Sequence, residues 1–187
     1  VEWAFADGKL SVLQARAITS LYPIPEESND PLQVWFSFGA AQGLVDPITP
    51  GMRERHAYIF VTSPNSTVPY HMDPEHGFLL HIQGRKSFTV YDGGDPEVVT
   101  EMEIEQHYTK GNRRLELRPE VAARGQTFLL EPGDGLHVPF GWPHHITNDD
   151  QISVSLQISL LTPNAERRAR VYKINSHLRK FGVTPAR

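Results

Sequence analysis

Residues 131–148 read EPGDGLHVPFGWPHHITN, and this stretch decides the fold. This stretch contains turn-forming and polar residues at Gly133, Pro139, Gly141, His144 and Asn148. Glycine and proline so placed favour tight turns between short strands. The spacing therefore predicts a tight turn immediately before His144.

A second stretch holds the chain's single His-x-Asp triplet, His71-Met72-Asp73. Side chains two residues apart on a strand share a face, so we expect this imidazole and carboxylate to point the same way. Two imidazoles and one carboxylate on one side of a metal leave three neighbouring positions open, which suits non-heme Fe(II) oxygen chemistry. The alternative is a loop histidine beside a turn-forming aspartate.

Three downstream histidines could complete this set: His137, His144 and His145. His144 holds the position that the turn pattern favours. His145 should point to the opposite side of an extended chain. His137 lies inside a predicted strand, where a place in the core or behind the ligands is expected. His76 and His81 are not predicted to be ligands, although His81 could line a pocket wall.

Composition narrows the class of protein. The 187 residues carry a net charge of −4, so bulk electrostatics give no reason to expect nucleic-acid binding. There is no cysteine, which excludes disulfides and thiolate metal ligands. The sequence shows neither an apolar run of membrane-spanning length nor the features of a signal peptide. We expect a soluble, cytoplasmic protein with no membrane partner.

The order of elements predicts a mainly β protein of one domain over residues 1–187. A helix is expected over residues 1–21, where apolar residues recur every three or four positions. From residue 58 onward, short strands alternate with turn signals, which favours a jelly-roll barrel with a core at about 58–162. Strands are predicted at 32–38, 58–62, 77–83, 86–91, 127–130, 135–138 and 152–161, with a tight hairpin at Gly84-Arg85 and a helical turn at 101–109.

The last 25 residues predict a helix over about 163–181. Thr162 followed by Pro163 fits a helix N-cap with proline at the first helical position. An apolar stripe follows, formed by Val171, Ile174, Leu178 and Phe181, and basic residues occupy much of the other surface. We expect the stripe to dock on the barrel; a homodimer contact or a docking face for an acidic partner is the alternative.

The stretches HMDPEHGFLLHIQGRKSFTVY (71–91) and EPGDGLHVPFGWPHHI (131–146) resemble the JmjC-like, or cupin-8-like, Fe(II)/2-oxoglutarate-dependent oxygenases. The tail YKINSHLRKFGVTP (172–185) is similar to that of a small bacterial cupin-like branch. The resemblance implies a double-stranded β-helix, the cupin barrel, with helices flanking it on both sides. Compared with four-ligand cupins, Gly77 stands where a glutamate ligand could stand, which reduces the ligands to three.

The resemblance also implies roles for individual residues. His71, Asp73 and His144 would bind Fe(II), and Lys86 would pair with the distal carboxylate of 2-oxoglutarate. Thr67 lies beside the position of a family hydroxyl that contacts this co-substrate. On the last strand, Ser155 and Gln157 could contact co-substrate or substrate if their face lines the barrel; a half-solvated strand is the alternative.

The function that follows is an Fe(II)/2-oxoglutarate-dependent dioxygenase that hydroxylates a protein side chain or a small molecule. Its small-molecule partners would be 2-oxoglutarate and O2, and its prime substrate is not identified by the sequence. Two alternatives stay open at this point. One is another metal-dependent cupin enzyme, for which Lys86 would not matter; the other is a non-catalytic binding or sensor module.

Overall fold

The computed structural model describes the backbone of residues 2–6 and 9–14, together with residues 51–111 and 113–185. The strand predicted at 32–38 lies outside the described residues. Two small elements come first in the chain, β1 (Glu2–Ala6) and β2 (Lys9–Gln14), which pair antiparallel. The other strands and helices that the structure describes lie between residues 53 and 180.

Two four-stranded antiparallel sheets form the core of the fold. The first has the order β3-β10-β5-β8 and the second the order β4-β9-β6-β7. Their bounds are Arg53–Thr62 (β3), Thr67–His71 (β4), His76–Gln83 (β5), Lys86–Val90 (β6), Gln126–Leu130 (β7), Gly135–Val138 (β8), His144–Asn148 (β9) and Ser153–Leu161 (β10). Apart from the step from β6 to β7, each strand lies in the other sheet from the strand before it, so the chain winds as a double-stranded β-helix. The predicted fold class is confirmed.

The core lies between the inner faces of the two sheets. Leu79 and Val138 come from the first sheet, and Phe88, Val90 and Leu130 come from the second. These side chains are buried because strand alternation turns every second residue inward. Removing this apolar surface from water supplies the main stabilisation of the sandwich.

The turn at Gly84 differs from the expected hairpin. β5 and β6 belong to different sheets, so the chain crosses from one sheet to the other there. Gly84 has a φ of 79°, and a Cβ atom at this position would lie 2.5 Å from the carbonyl oxygen of Ile152. The sharp crossing therefore depends on glycine, and it leads directly into Lys86 at the start of β6.

In the part of the chain that the structure describes, three helices accompany the sheets: α1 (Glu101–Lys110), α2 (Pro119–Ala122) and α3 (Pro163–Lys180). Thr100 and Glu103 form a reciprocal capping box at the start of α1. Thr162 caps α3 through its side chain, and Pro163 follows it, as predicted. The helices α1 and α3 thus begin at the residues that the sequence predicts, 101 and 163.

The apolar stripe of α3 is not the face that docks. Val171, Ile174, Leu178 and Phe181 are exposed by 45%, 59%, 38% and 83%. The predicted docking through this stripe is wrong, because α3 buries Tyr172 instead, in the cluster that contains Tyr70 and Met72. The Glu105 carboxylate, which is buried on α1, accepts a 2.7 Å hydrogen bond from Arg179 and fixes this orientation of α3.

The helix predicted over residues 1–21 is wrong for the described part of that segment. β1 and β2 are joined by Asp7-Gly8 in the sequence, a pair typical of two-residue hairpins. Alternating Trp3 and Phe5 also favour a strand. This local turn chemistry outweighs the helical spacing of Leu10 and Leu13, which the structure assigns to β2. Residues 15–21 lie outside the description.

In the described parts of the chain, none of the helices combines the length and apolar character needed to cross a membrane.

Gly84→Ala tests the sheet crossing. We expect a loss of at least ~3 kcal/mol in the free energy of unfolding, because a left-handed residue and a backbone clash are imposed together. Gly133→Ala is the matched control: its φ is 103°, but nothing lies within 4 Å of the added atom. It should cost only about 1–2 kcal/mol. Urea unfolding of both variants gives the comparison, and equal losses would contradict the packing argument.

Candidate metal centre

Three side chains from two adjacent strands meet at one end of the barrel. His71 ends β4, Asp73 follows two residues later, and His144 begins β9. His71 and His144 face each other across the antiparallel pair, with ring centroids 4.3 Å apart. One ligand atom from each of the three residues lies within 4.8 Å of the others. The structure thus brings together the three predicted ligands.

Backbone carbonyls fix the tautomer of both histidines. His71 Nδ1 donates to the Pro69 carbonyl at 2.7 Å, and His144 Nδ1 donates to the Trp142 carbonyl at 3.0 Å. A carbonyl oxygen can only accept, so each Nδ1 carries the proton. In a neutral imidazole with this tautomer, Nε2 carries the lone pair, and it is Nε2 of both rings that faces the common centre.

The two oxygens of the Asp73 carboxylate face different partners. Oδ1 accepts a 2.9 Å hydrogen bond from Arg113 Nη1. Oδ2 lies 3.8 Å from His71 Nε2 and 3.9 Å from His144 Nε2. One carboxylate oxygen and two ring nitrogens therefore converge on one point.

The backbone holds Asp73 from both sides. Met72 is buried in the cluster beneath α1 and α3, which anchors the chain between His71 and Asp73. The Gly141 amide donates to the Asp73 carbonyl at 2.7 Å. Gly141 has a φ of 70° and belongs to the predicted turn before His144. The two sequence stretches that carry the ligands are thus joined directly.

Burial keeps His144 neutral. Its side chain is 7% exposed, and burial together with neighbouring His71 lowers the pKa of His144 to about 4. Near neutral pH this imidazole has a free lone pair. Two imidazole nitrogens and one carboxylate oxygen, with no thiolate, can hold a divalent metal such as Fe(II), Mn(II) or Zn(II).

A cavity of about 100 Å³ opens beside the three side chains. It is lined by both polar and apolar residues: Phe60, Thr62, Val68, His71, Asp73, Leu79, Lys86, His144, Ile146, Asn148 and Gln157. Lys86 is only 3% exposed, and burial lowers its pKa to about 8. Among the described residues, its ammonium group has no hydrogen-bond acceptor and no carboxylate partner, and burial is the one cause of the shift. The cavity wall therefore carries a cation without a paired carboxylate.

Gln157 lies on the inner face of β10 and lines the cavity, as expected for one of the two polar positions on that strand. Its Nε2 donates to Ser159 Oγ at 3.0 Å. A Cβ atom on Gly77 would lie 3.3 Å from the same Nε2. The glycine at the position of a possible fourth ligand thus leaves room for the Gln157 amide.

Two predicted co-substrate residues lie elsewhere. Ser155 is fully buried and does not line the cavity; its hydroxyl is bonded to His81 Nδ1 at 3.0 Å. Thr67 is exposed, and its neighbour Val68 lines the cavity in its place. The geometry therefore gives no support to a co-substrate contact by Thr67 or Ser155.

The other histidines do not join the centre. His145 points away from it, with Nδ1 3.4 Å from the Tyr91 hydroxyl. His137 was expected in the core or behind the ligands, yet it is exposed and stacks on Phe78 with 4.4 Å between ring centroids. It also shares a 3.0 Å hydrogen bond with His76. His81 is buried, shares a hydrogen bond with Ser155 and does not line the cavity.

The sequence patterns missed Arg113 and the apolar wall residues. Arg113 lies 40 residues beyond Asp73, after α1. Its backbone carbonyl accepts from the Met72 amide at 3.1 Å, so this segment runs beside the end of β4. No periodicity or motif in the chain connects these two segments.

A family model described as the JmjC domain matches residues 45–167. Among curated proteins, the rifampicin phosphotransferase of Bacillus subtilis (strain 168) is 42% identical over 50 residues, which are 27% of this chain and 6% of that protein. The enzyme of the same name from Streptomyces sviceus is 36% identical over an equally short stretch. The chain thus spans only about 6% of the length of these relatives.

The matching solved structures have lower sequence identities to this chain. Hydroquinone 1,2-dioxygenase from Sphingomonas sp. TTNP3 has a TM-score of 0.42 and 15% identity, over 58% of this chain and 60% of that one. Oxalate decarboxylase from Bacillus subtilis has a TM-score of 0.39 and 17% identity, over 60% of this chain and 22% of that one.

His144→Ala and His145→Ala test which histidine binds metal. We expect His144→Ala to weaken Mn(II) binding at least ~100-fold, because one of three ligands is lost and a water must replace a ring nitrogen. His145→Ala removes the adjacent ring on the other face and should leave the affinity within about twofold. Titration of Mn(II) followed by electron paramagnetic resonance measures both. A loss in His145→Ala alone would contradict the assignment.

Proposed function

This chain belongs to the JmjC domain family, and we propose that it is an Fe(II)- and 2-oxoglutarate-dependent oxygenase. The most direct reaction would be hydroxylation of a protein side chain or a small molecule, with O2 as oxidant. One observation carries the proposal: a buried lysine without a partner among the described residues lines the same cavity as a His/Asp/His cluster.

The buried ammonium of Lys86 calls for an anion. A charge taken out of water without a partner is costly, and proteins retain such charges where a ligand or counter-ion compensates them. Lys86 loses part of its affinity for a proton through burial alone, and a carboxylate in the cavity would restore it. The cavity therefore suits a ligand with a carboxylate at the end remote from the metal.

The three predicted metal ligands suit the other end of the same small molecule. With two histidines and one aspartate as ligands, a metal keeps three adjacent positions for exogenous groups. A 2-oxo acid can take two of them through its keto oxygen and neighbouring carboxylate. Of the common 2-oxo acids, 2-oxoglutarate also offers the second carboxylate that Lys86 would bind, and it is the co-substrate that we propose.

Bound Fe(II) would supply the oxygen chemistry, in which 2-oxoglutarate is converted to succinate and CO2 as the substrate is hydroxylated. The protein's own residues would do three things. His71, Asp73 and His144 would hold and orient the metal. Lys86 and Gln157 would orient the co-substrate, and the apolar wall formed by Phe60, Leu79 and Ile146 would keep water out.

Anaerobic Fe(II) binding with and without 2-oxoglutarate tests the proposal. We expect the chelate to produce a weak visible charge-transfer band in the wild type. Lys86→Met should weaken 2-oxoglutarate binding ~10–100-fold, since it removes one charge-assisted hydrogen bond worth roughly 1.5–3 kcal/mol. Arg85→Met is the control, because Arg85 is exposed and pairs with Glu131 outside the cavity.

The outcomes separate the candidate functions. Iron binding without the band would exclude 2-oxoglutarate and leave another metal-dependent cupin reaction. Loss of metal binding in every protein would leave a binding or structural module. Equal 2-oxoglutarate affinities for Lys86→Met and Arg85→Met would contradict the role proposed for Lys86.

The pH dependence of co-substrate binding gives a second test. The pKa of Lys86 is lowered by burial to about 8, so the free protein loses this positive charge as the pH rises through about 8. Affinity for 2-oxoglutarate should therefore fall above that pH, where binding requires uptake of a proton. Calorimetry in buffers of different ionisation enthalpy measures the proton uptake. Lys86→Met should show no uptake, and an identical pH profile for both proteins would contradict the assignment.

A further inference from the structure

We infer that Arg113 is a positioning residue of the metal centre: it holds Asp73 by one oxygen so that the other oxygen alone faces His71 and His144. The inference rests on the proposed metal site. It goes beyond it because Arg113 belongs to neither of the sequence stretches that carry the ligands. It also gives the segment between α1 and α2 a role, which is to hold the Asp73 carboxylate.

The guanidinium lies between two carboxylates. Arg113 Nη1 donates to Asp73 Oδ1 at 2.9 Å, and Nη2 lies 3.8 Å from Glu75 Oε1. Asp73 and Glu75 are two residues apart and would repel each other without a cation between them. Arg113 therefore balances two negative charges and sets the rotation of the ligand carboxylate.

The backbone brings Arg113 to this place independently of its side chain. The Met72 amide donates to the Arg113 carbonyl, and the Leu115 amide donates to the Tyr70 carbonyl, each at 3.1 Å. Between these bonds, Arg114 forms an antiparallel bridge with His71. The segment thus runs alongside the end of β4, and a side-chain substitution at position 113 leaves these three contacts intact.

The competing explanation is that Arg113 and Asp73 form an ordinary surface ion pair, since the Arg113 side chain is 56% exposed. Such pairs contribute little to stability. The two explanations predict opposite signs for metal binding. A neighbouring cation that acts only through its charge repels a divalent metal, so its removal would tighten binding. A positioning residue supports the ligand geometry, so its removal would weaken binding.

The experiment compares Mn(II) affinities of the full chain for the wild type, Arg113→Met, Arg113→Lys and Arg114→Met. Free Mn(II) is followed by electron paramagnetic resonance, which needs no catalytic turnover. We expect Arg113→Met to bind Mn(II) ~10–100-fold more weakly, the cost typical of losing a group that orients a metal ligand. Arg113→Lys keeps one donor group, so its Mn(II) affinity should lie between those of the wild type and Arg113→Met. Arg114→Met should bind Mn(II) as tightly as the wild type.

Thermal unfolding of the metal-free proteins controls for folding. Arg113→Met and Arg114→Met should unfold at closely similar temperatures, because neither substitution removes a backbone contact. Unchanged or tighter Mn(II) binding by Arg113→Met would overturn the inference alone. Absence of Mn(II) binding by the folded wild type would overturn the proposed metal site, and this inference with it.

Discussion

The antiparallel pairing of β4 with β9 is the constraint on which the rest of the site depends. It sets His71 directly opposite His144, and each ring is then held by a carbonyl of its own strand or turn. A slip of one residue would turn one ring to the other face of the sheet. The pairing is irregular between Val68 and His71, and this irregularity lets two residues of odd spacing line the same cavity. Tyr70 and Met72 are then free to anchor the segment in the core beneath the helices.

Charge in the cavity is arranged around this pairing. The two histidines supply ring nitrogens, the Asp73 carboxylate lies beside them, and Lys86 is a buried cation in the same cavity. In the proposed complex, the divalent metal would balance Asp73 and the near carboxylate of 2-oxoglutarate, and Lys86 would balance the distal carboxylate. Neutrality matters there because a low-dielectric site raises the cost of any unpaired charge. Arg113 lies at the solvent side, where it balances the second carboxylate, Glu75, without entering the cavity.

Short-range patterns predicted most of the barrel and the three side chains that meet at its end. Turns and alternation are local, so spacing predicts the strands and the shared face of His71 and Asp73, and the family resemblance adds His144. The errors have non-local causes. Thr67 was chosen by sequence proximity, but the irregular pairing turns Val68 inward instead. The apolar stripe of α3 is predicted to dock, but the ion pair between Arg179 and the buried Glu105 of α1 selects another face. Arg113 comes from a segment whose pairing with β4 depends on tertiary structure alone.

The packing around Gly77 would limit the proposed site to three protein ligands. Its missing side chain does not leave the barrel underpacked, because the Gln157 amide occupies the adjacent space and is bonded to Ser159. A glutamate at position 77 would have to displace that amide before it could approach a metal. The neutral glutamine therefore takes the space that a fourth, charged ligand would need. In the proposed site, the pairing of β5 with β10, on the sheet opposite the two histidines, would leave an opening for exogenous ligands. One sheet would hold the metal, and the other would keep its remaining positions accessible.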